Sequence, residues 1–196
     1  MANLKDSPNF QVYDDYYTPK SAWERVGKSI RKQEILVDKV VDNENKAECF
    51  IHRPPKVWEA CMLGADLSKS DQYLTELGCE VIADRTMNCL EQQPEDWDII
   101  ITNIPFDKTK KIPILERFVE LDKPFMVIMN SMNTFTKYFH RIFKGKEKDL
   151  QIITPSKKIN FDKLENGVLR PTKNCSFYSV YVCYKFNLPP DHLWID

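Results

Sequence analysis

The feature that most constrains this chain is the stretch Asp96-Trp97-Asp98-Ile99-Ile100-Ile101-Thr102-Asn103-Ile104-Pro105-Phe106. Three consecutive β-branched apolar residues bounded by acids predict a short strand buried on both faces, the pattern of a strand inside a parallel sheet. Pro105 cannot continue a hydrogen-bonded ladder and biases Ile104 toward an extended backbone, so the strand stops there. An amide side chain, an exposed carbonyl and an aromatic ring are thereby presented together at the carboxyl end of a strand. Open α/β sheets bind their ligands at that end.

A chain of 196 residues buries one sizeable core, and a single domain over 1–196 is expected. Apolar residues at 42% and charged residues at 29% place it among ordinary globular proteins. A formal net charge of −1 argues against a uniformly basic nucleic-acid binder but leaves room for a local basic face. The cysteines, at 49, 61, 79, 89, 175 and 183, form no C-x-x-C pair. Reduced thiols in a cytoplasmic setting, with no structural zinc or other metal, are therefore expected. No apolar run approaches the length of a membrane span, so no membrane partner is expected.

Along the chain, residues 1–15 read as a polar arm and 16–53 as an N-terminal helix with its connection. Residues 54–186 read as the core and 187–196 as a tail. Trp23, Val26 and Ile30 recur at helical spacing opposite Arg25, Lys28, Arg31 and Lys32, which predicts an amphipathic helix to about Gln33. Residues 37–47 alternate only weakly and end in a charged loop. After Pro54-Pro55, residues 56–61 predict a buried strand and 62–66 a loop. Ser68 is placed to cap a helix that carries Tyr73, Leu74 and Leu77 and closes at Gly78. Residues 80–84 predict the next strand, and together these make the outline of a nucleotide-binding βαβ unit with one loop glycine, Gly64. Asp84 and Glu59, at the two strand tips, read either as ligand-binding carboxylates or as strand-end turn residues.

Beyond the opening stretch, a helix is predicted over 111–121 and a fully apolar strand over 123–129. Residues 134–148 mix Phe135, Tyr138, Phe139, Ile142 and Phe143 with Lys137, His140, Arg141, Lys144, Lys146 and Lys148. This is the pattern of a phosphate-contacting helix and equally of any surface helix with a buried face. Residues 151–153 and 159–161 predict a strand region and 176–186 a last long strand. With no helix-length segment between them, the sheet is expected to finish antiparallel.

Tyr17-Thr18-Pro19, the βαβ unit ending in Asp84, and Thr102-Asn103-Ile104-Pro105-Phe106 together resemble the S-adenosylmethionine-dependent N6-adenine methyltransferases. The likeness is greatest to the compact phage, viral and restriction-modification type acting on DNA, and it runs from about Tyr16 to Phe186. It implies a Rossmann-like class I methyltransferase fold, α/β, with a mostly parallel seven-stranded sheet whose last strand is antiparallel. The family pattern [DNS]-P-P-[YFW] reads Asn103-Ile104-Pro105-Phe106 here. The second position departs from it and matches ribosomal RNA adenine dimethyltransferases, which leaves RNA open as the acceptor. The glycine-rich cofactor loop is reduced to Glu59-Ala60-Cys61-Met62-Leu63-Gly64-Ala65, which leaves a non-catalytic relative or binding subunit open.

The resemblance implies that Asn103 Oδ1 and the Ile104 carbonyl accept the hydrogens of the target amine, with Pro105 shaping the turn and Phe106 stacking on a flipped base. It assigns S-adenosyl-L-methionine to Tyr17, Thr18, Pro19, Glu59, Cys61, Gly64, Asp84, Asn88 and Cys89. Lys137, Arg141 and Lys144 are the expected nucleic-acid contacts. Methylation of a protein glutamine amide, which also needs a clamp on a planar NH2 group, is a further reading. A homodimer or a partner subunit for target recognition is left open.

Overall fold

The computed structural model describes residues 16–41, 48–166, 168–173, 175–189 and 194–195, and the arm expected over 1–15 lies outside them. In chain order the elements begin with strand β1 (Tyr16–Tyr17), helix α1 (Lys20–Arg31), and strands β2 (Ile35–Val41), β3 (Glu48–Arg53) and β4 (Lys56–Trp58). Helix α2 (Ser70–Glu76), strands β5 (Glu80–Ile82) and β6 (Ile99–Asn103), helix α3 (Lys108–Glu120) and strand β7 (Phe125–Asn130) follow. A 3-10 turn (Ser131–Phe135) leads into α4 (Lys137–Phe143) and β8 (Leu150–Pro155). The chain continues through β9 (Asp162–Glu165), β10 (Val168–Pro171), β11 (Ser179–Tyr184) and β12 (Trp194–Ile195).

Seven strands form the central sheet in the order β5-β4-β6-β7-β11-β8-β12. β4, β5, β6 and β7 are mutually parallel, and β11 runs antiparallel to both β7 and β8. The antiparallel strand is thus the last long one, as expected, and it lies inside the sheet. Trp194–Ile195, read from the sequence as tail, adds a parallel strand outside β8.

The continuous apolar runs arise because each face of the sheet is covered. Ile99, Ile101, Met126, Ile128, Tyr181 and Cys183 pack on the side of α1 and α2, with Trp23, Val26, Ile30 and Leu74. Ile100, Phe125, Val127, Met129, Val180, Val182 and Tyr184 pack on the other side, with Leu115 and Phe118 of α3 and Phe139 and Phe143 of α4. With two neighbours to satisfy, alternate residues of one strand are apolar in both directions.

Several elements differ from the sequence expectation. Of the weakly alternating segment, residues 37–41 belong to β2, which pairs antiparallel with β3 with a register shift at Leu36/Asp38, and residues 42–47 lie outside the described residues. The apolar residues Leu36, Val37, Phe50 and Ile51 of the β2–β3 pair stay exposed, so no burial period marks it. α3 begins at Lys108 because the Asp107 carboxylate accepts the Thr109 amide at 2.7 Å, a side-chain cap. The helix expected over 134–148 is shortened to α4, started by Thr136, whose hydroxyl accepts the Phe139 amide, and stopped at Gly145 with φ +78°. Residues 159–161 do not join β8; Ile159 and Phe161 plug the core, and the next residues form β9 in a separate three-stranded sheet with β1 and β10. Among the described residues no helix is long and apolar enough to cross a membrane.

Candidate functional site

The parallel register Val57↔Ile99 and Trp58↔Ile100 carries β4 and β6 to the same edge, so the residues that follow them leave the sheet side by side. A cleft of about 320 Å³ opens there, a size typical of small-molecule sites. Glu59, Cys61, Leu63, Gly64 and Ala65 from the loop after β4 form one wall, with Ser68 and Ser70 at the start of α2. Asn103, Ile104, Pro105 and Lys110 form the facing wall, and Tyr16, Tyr17 and Thr18 close the third side.

Two buried polar atoms at this cleft have no hydrogen-bond partner among the described residues: Asn103 Oδ1 and Thr18 Oγ1. The other end of the Asn103 amide is held, since Nδ2 donates to the Tyr16 carbonyl at 3.5 Å. That contact orients the amide and leaves its oxygen as an unused acceptor. A buried acceptor without a partner costs about 1–3 kcal/mol, and a ligand with N–H groups removes that cost.

Glu59 is 3% exposed and accepts a hydrogen bond from the Thr102 hydroxyl. Burial pushes its carboxyl up to about 8, against the smaller opposing effect of Thr102. The Thr102 oxygen in turn accepts the Cys61 amide at 3.2 Å. The Cys61 thiol donates toward Cys89; this contact, reinforced by burial, raises Cys61, and it lowers Cys89 against the opposing effect of burial. Gly64 turns the loop with φ +68°, and a Cβ there meets nothing within 4 Å, so it is the left-handed backbone that calls for glycine. Arg85 ties the loop after β5 to α2 through the Ser68 carbonyl at 3.0 Å and Asp71 at 3.3 Å.

The expected residues thus divide. Tyr17, Thr18, Glu59, Cys61, Gly64, Asn103, Ile104 and Pro105 line one cleft. Pro19 is the N-cap of α1 immediately behind it. Asp84 is exposed and not among the lining residues; its carboxylate accepts the Thr86 amide at 2.8 Å and the Thr86 hydroxyl at 2.7 Å, which hold it below the usual range. Of its two sequence readings, the turn role is the one its contacts display. Asn88 Oδ1 likewise accepts the Leu90 amide within its own turn, and Cys89 is buried. Phe106 lies outside the cleft lining. Its ring packs against Phe177, Tyr16 and Phe161 at centroid distances of 4.8, 5.5 and 5.5 Å.

A second cavity of about 550 Å³ lies between α3 and α4. Its lining includes Lys137 and Arg141, two of the three expected nucleic-acid contacts, with Lys108 and Lys111, which the sequence did not single out. Arg141 is paired with Glu116 at 2.5 Å. Lys144, the C-cap of α4, is not among the lining residues. Sequence reasoning also passed over Thr102 and Tyr16. A polar residue at the end of an apolar strand was the available signal for Thr102, whereas nothing local marks a backbone carbonyl.

No family model and no curated protein sequence matches the chain. Solved structures do. A Listeria monocytogenes protein assigned to the class I S-adenosylmethionine-dependent methyltransferases superposes with a TM-score of 0.51 at 13% identity, over 98% of this chain and 74% of that one. An S-adenosylmethionine-dependent O-methyltransferase of Thermotoga maritima matches with a TM-score of 0.32 at 11% identity, over 69% and 61%. Precorrin-6y C5,15-methyltransferase of Geobacter metallireducens matches with a TM-score of 0.36 at 15% identity, over 91% and 100%. The first of these likenesses, with the strand order above, identifies the α/β fold of class I methyltransferases.

Proposed function

We propose that this protein transfers a methyl group from S-adenosylmethionine to the N6 amine of adenine in DNA. The observation that carries the reading is the unpartnered Asn103 Oδ1, buried beside Ile104 and Pro105 in a cleft at the carboxyl ends of β4 and β6. The fold of the Listeria protein supports the cofactor class.

The cofactor supplies an electrophilic methyl on a sulfonium centre. The residues present suit its amino-acid end: the Thr18 hydroxyl lacks a partner, Glu59 provides a carboxyl, and the open backbone at Gly64 admits close approach. Asp84, Asn88 and Cys89 are assigned to its ribose and adenine end by resemblance.

The lone pair of the adenine amine is delocalised into the ring, which makes it a poor nucleophile. Asn103 Oδ1 and the Ile104 carbonyl, accepting its two hydrogens, favour the pyramidal amine and stabilise positive charge growing on nitrogen. The methylated ammonium is acidic enough to lose its proton to water, so no dedicated base is needed, and the chain contributes positioning and electrostatics. Phe106 enters as part of an aromatic wall with Tyr16 and Phe177. Lys137 and Arg141, joined by Lys108 and Lys111 and flanked by Lys144, serve the phosphate backbone.

The test is transfer of a labelled methyl group from S-adenosylmethionine to DNA and RNA of mixed sequence, with the modified base identified. N6-methyladenine in DNA, lost in Asn103→Ala, is the expected result. Transfer to RNA alone replaces the acceptor, and tight cofactor binding without transfer to either makes the chain a binding subunit.

A further inference from the structure

We infer that Thr102 is a positioning residue: its hydroxyl locks the loop after β4 to the strand that carries Asn103, so that the cofactor wall and the amine clamp are placed as one unit. The inference rests on the cofactor cleft proposed above and assigns it a device that the motif itself does not contain.

Thr102 is fully buried at the end of β6. A hydroxyl has one donor and two acceptor positions, and here it is used both ways. It donates to Glu59 Oε1 and accepts the Cys61 amide at 3.2 Å. Glu59 and Cys61 both follow β4, while the next residue after Thr102 is Asn103. One side chain therefore joins the cleft's two walls across 43 residues of sequence. Because the Thr102 hydrogen occupies Oε1, the titrating proton of Glu59 belongs on Oε2. The groups that set Glu59 come from every side: Asp71 of α2, Arg85 and Cys89 of the loop after β5, and Thr102 of β6, while Lys110 of α3 lines the same cleft.

Valine has the shape of threonine without the hydroxyl, so Thr102→Val leaves the Glu59 carboxyl and the Cys61 amide unpaired in a buried place. Losing a hydrogen bond of this kind corresponds to about a tenfold change in an equilibrium. Thr102→Ser keeps the hydroxyl.

The experiment compares the native protein, Thr102→Val and Thr102→Ser by amide hydrogen exchange of residues 59–65 and by calorimetric binding of S-adenosylmethionine. Thr102→Val should speed exchange at Cys61 and weaken binding, each by about tenfold, while Thr102→Ser restores both and the β7 amides stay unchanged. Equal exchange and binding in Thr102→Val and the native protein overturn the inference. If the native protein does not bind S-adenosylmethionine, the proposed cofactor falls. Exchange at Cys61 in the free protein then decides the role of Thr102: faster in valine and restored in serine supports it, and no change overturns it. Should β7 exchange also accelerate in Thr102→Val, a local slowing at Cys61 on going to Thr102→Ser supports the inference, and its absence overturns it.

Discussion

Arg53 and Asp98, 45 residues apart in sequence, meet in a two-pronged ion pair, with Nη1 at 2.6 Å from Oδ2 and Nη2 at 3.1 Å from Oδ1. The same Oδ2 accepts the Lys56 amide at 2.7 Å. One carboxylate thus fixes the end of β3, the start of β4 and the start of β6, the strand that delivers Asn103.

Burial opposes ionisation of Asp98, but the Arg53 guanidinium and the Lys56 amide outweigh it and hold the carboxyl below its ordinary range. With the folded value below the unfolded one, its stabilisation is present above the unfolded pKa of about 4 and lost as pH falls through the folded value. Asp98→Asn should lower stability at neutral pH by about 2 kcal/mol and flatten the acid limb. Urea denaturation at pH 7 and below pH 4 checks both outcomes.

Glu59 behaves in the opposite sense. Its folded value of about 8 exceeds the ordinary glutamate value of about 4.3, so the folded chain holds a proton that the unfolded chain releases between those limits. Its contribution is full in acid and lost as pH rises toward 8. Glu59→Gln, which mimics the neutral form, should raise the melting temperature relative to the native protein more at pH 8.5 than at pH 5. A gain equal at both pH values would contradict this assignment.

Trp58 is 1% exposed and packs against Trp97 and Phe118 at centroid distances of 5.2 and 6.3 Å. Trp58→Ala should cost about 4 kcal/mol through lost burial and the cavity left behind. Equilibrium denaturation, with the denaturant slope compared between variants, measures it.

The proposed contact of DNA with the cavity between α3 and α4 is tested by its salt dependence. Lys108→Glu together with Lys137→Glu should weaken association with DNA and lower the slope of log K against log salt by about 2. Phe135 is 78% exposed and lies two residues before Lys137 in sequence. Phe135→Ala should leave stability within about 0.5 kcal/mol while weakening binding to single-stranded DNA. Fluorescence anisotropy across a salt series separates these effects.

Much of the frame was legible in sequence because its signals are local. The apolar runs at 99–101 and 125–129 read as strands covered on both faces, and Gly78 with φ +88° follows its helix where the pattern placed it. The motif Asn103-Ile104-Pro105-Phe106 fixed both the end of β6 and the edge at which a cleft opens. What tertiary structure alone decided is which groups meet there. The Asn103 amide is oriented by a carbonyl 87 residues away, Thr102 reaches Glu59 across 43, and four cations collect from two helices. The Phe106 ring is claimed by Phe177 and Phe161, far along the chain. Periodicity and turn chemistry act over a few residues and so can be read from order alone, whereas these contacts depend on how the finished layers pack.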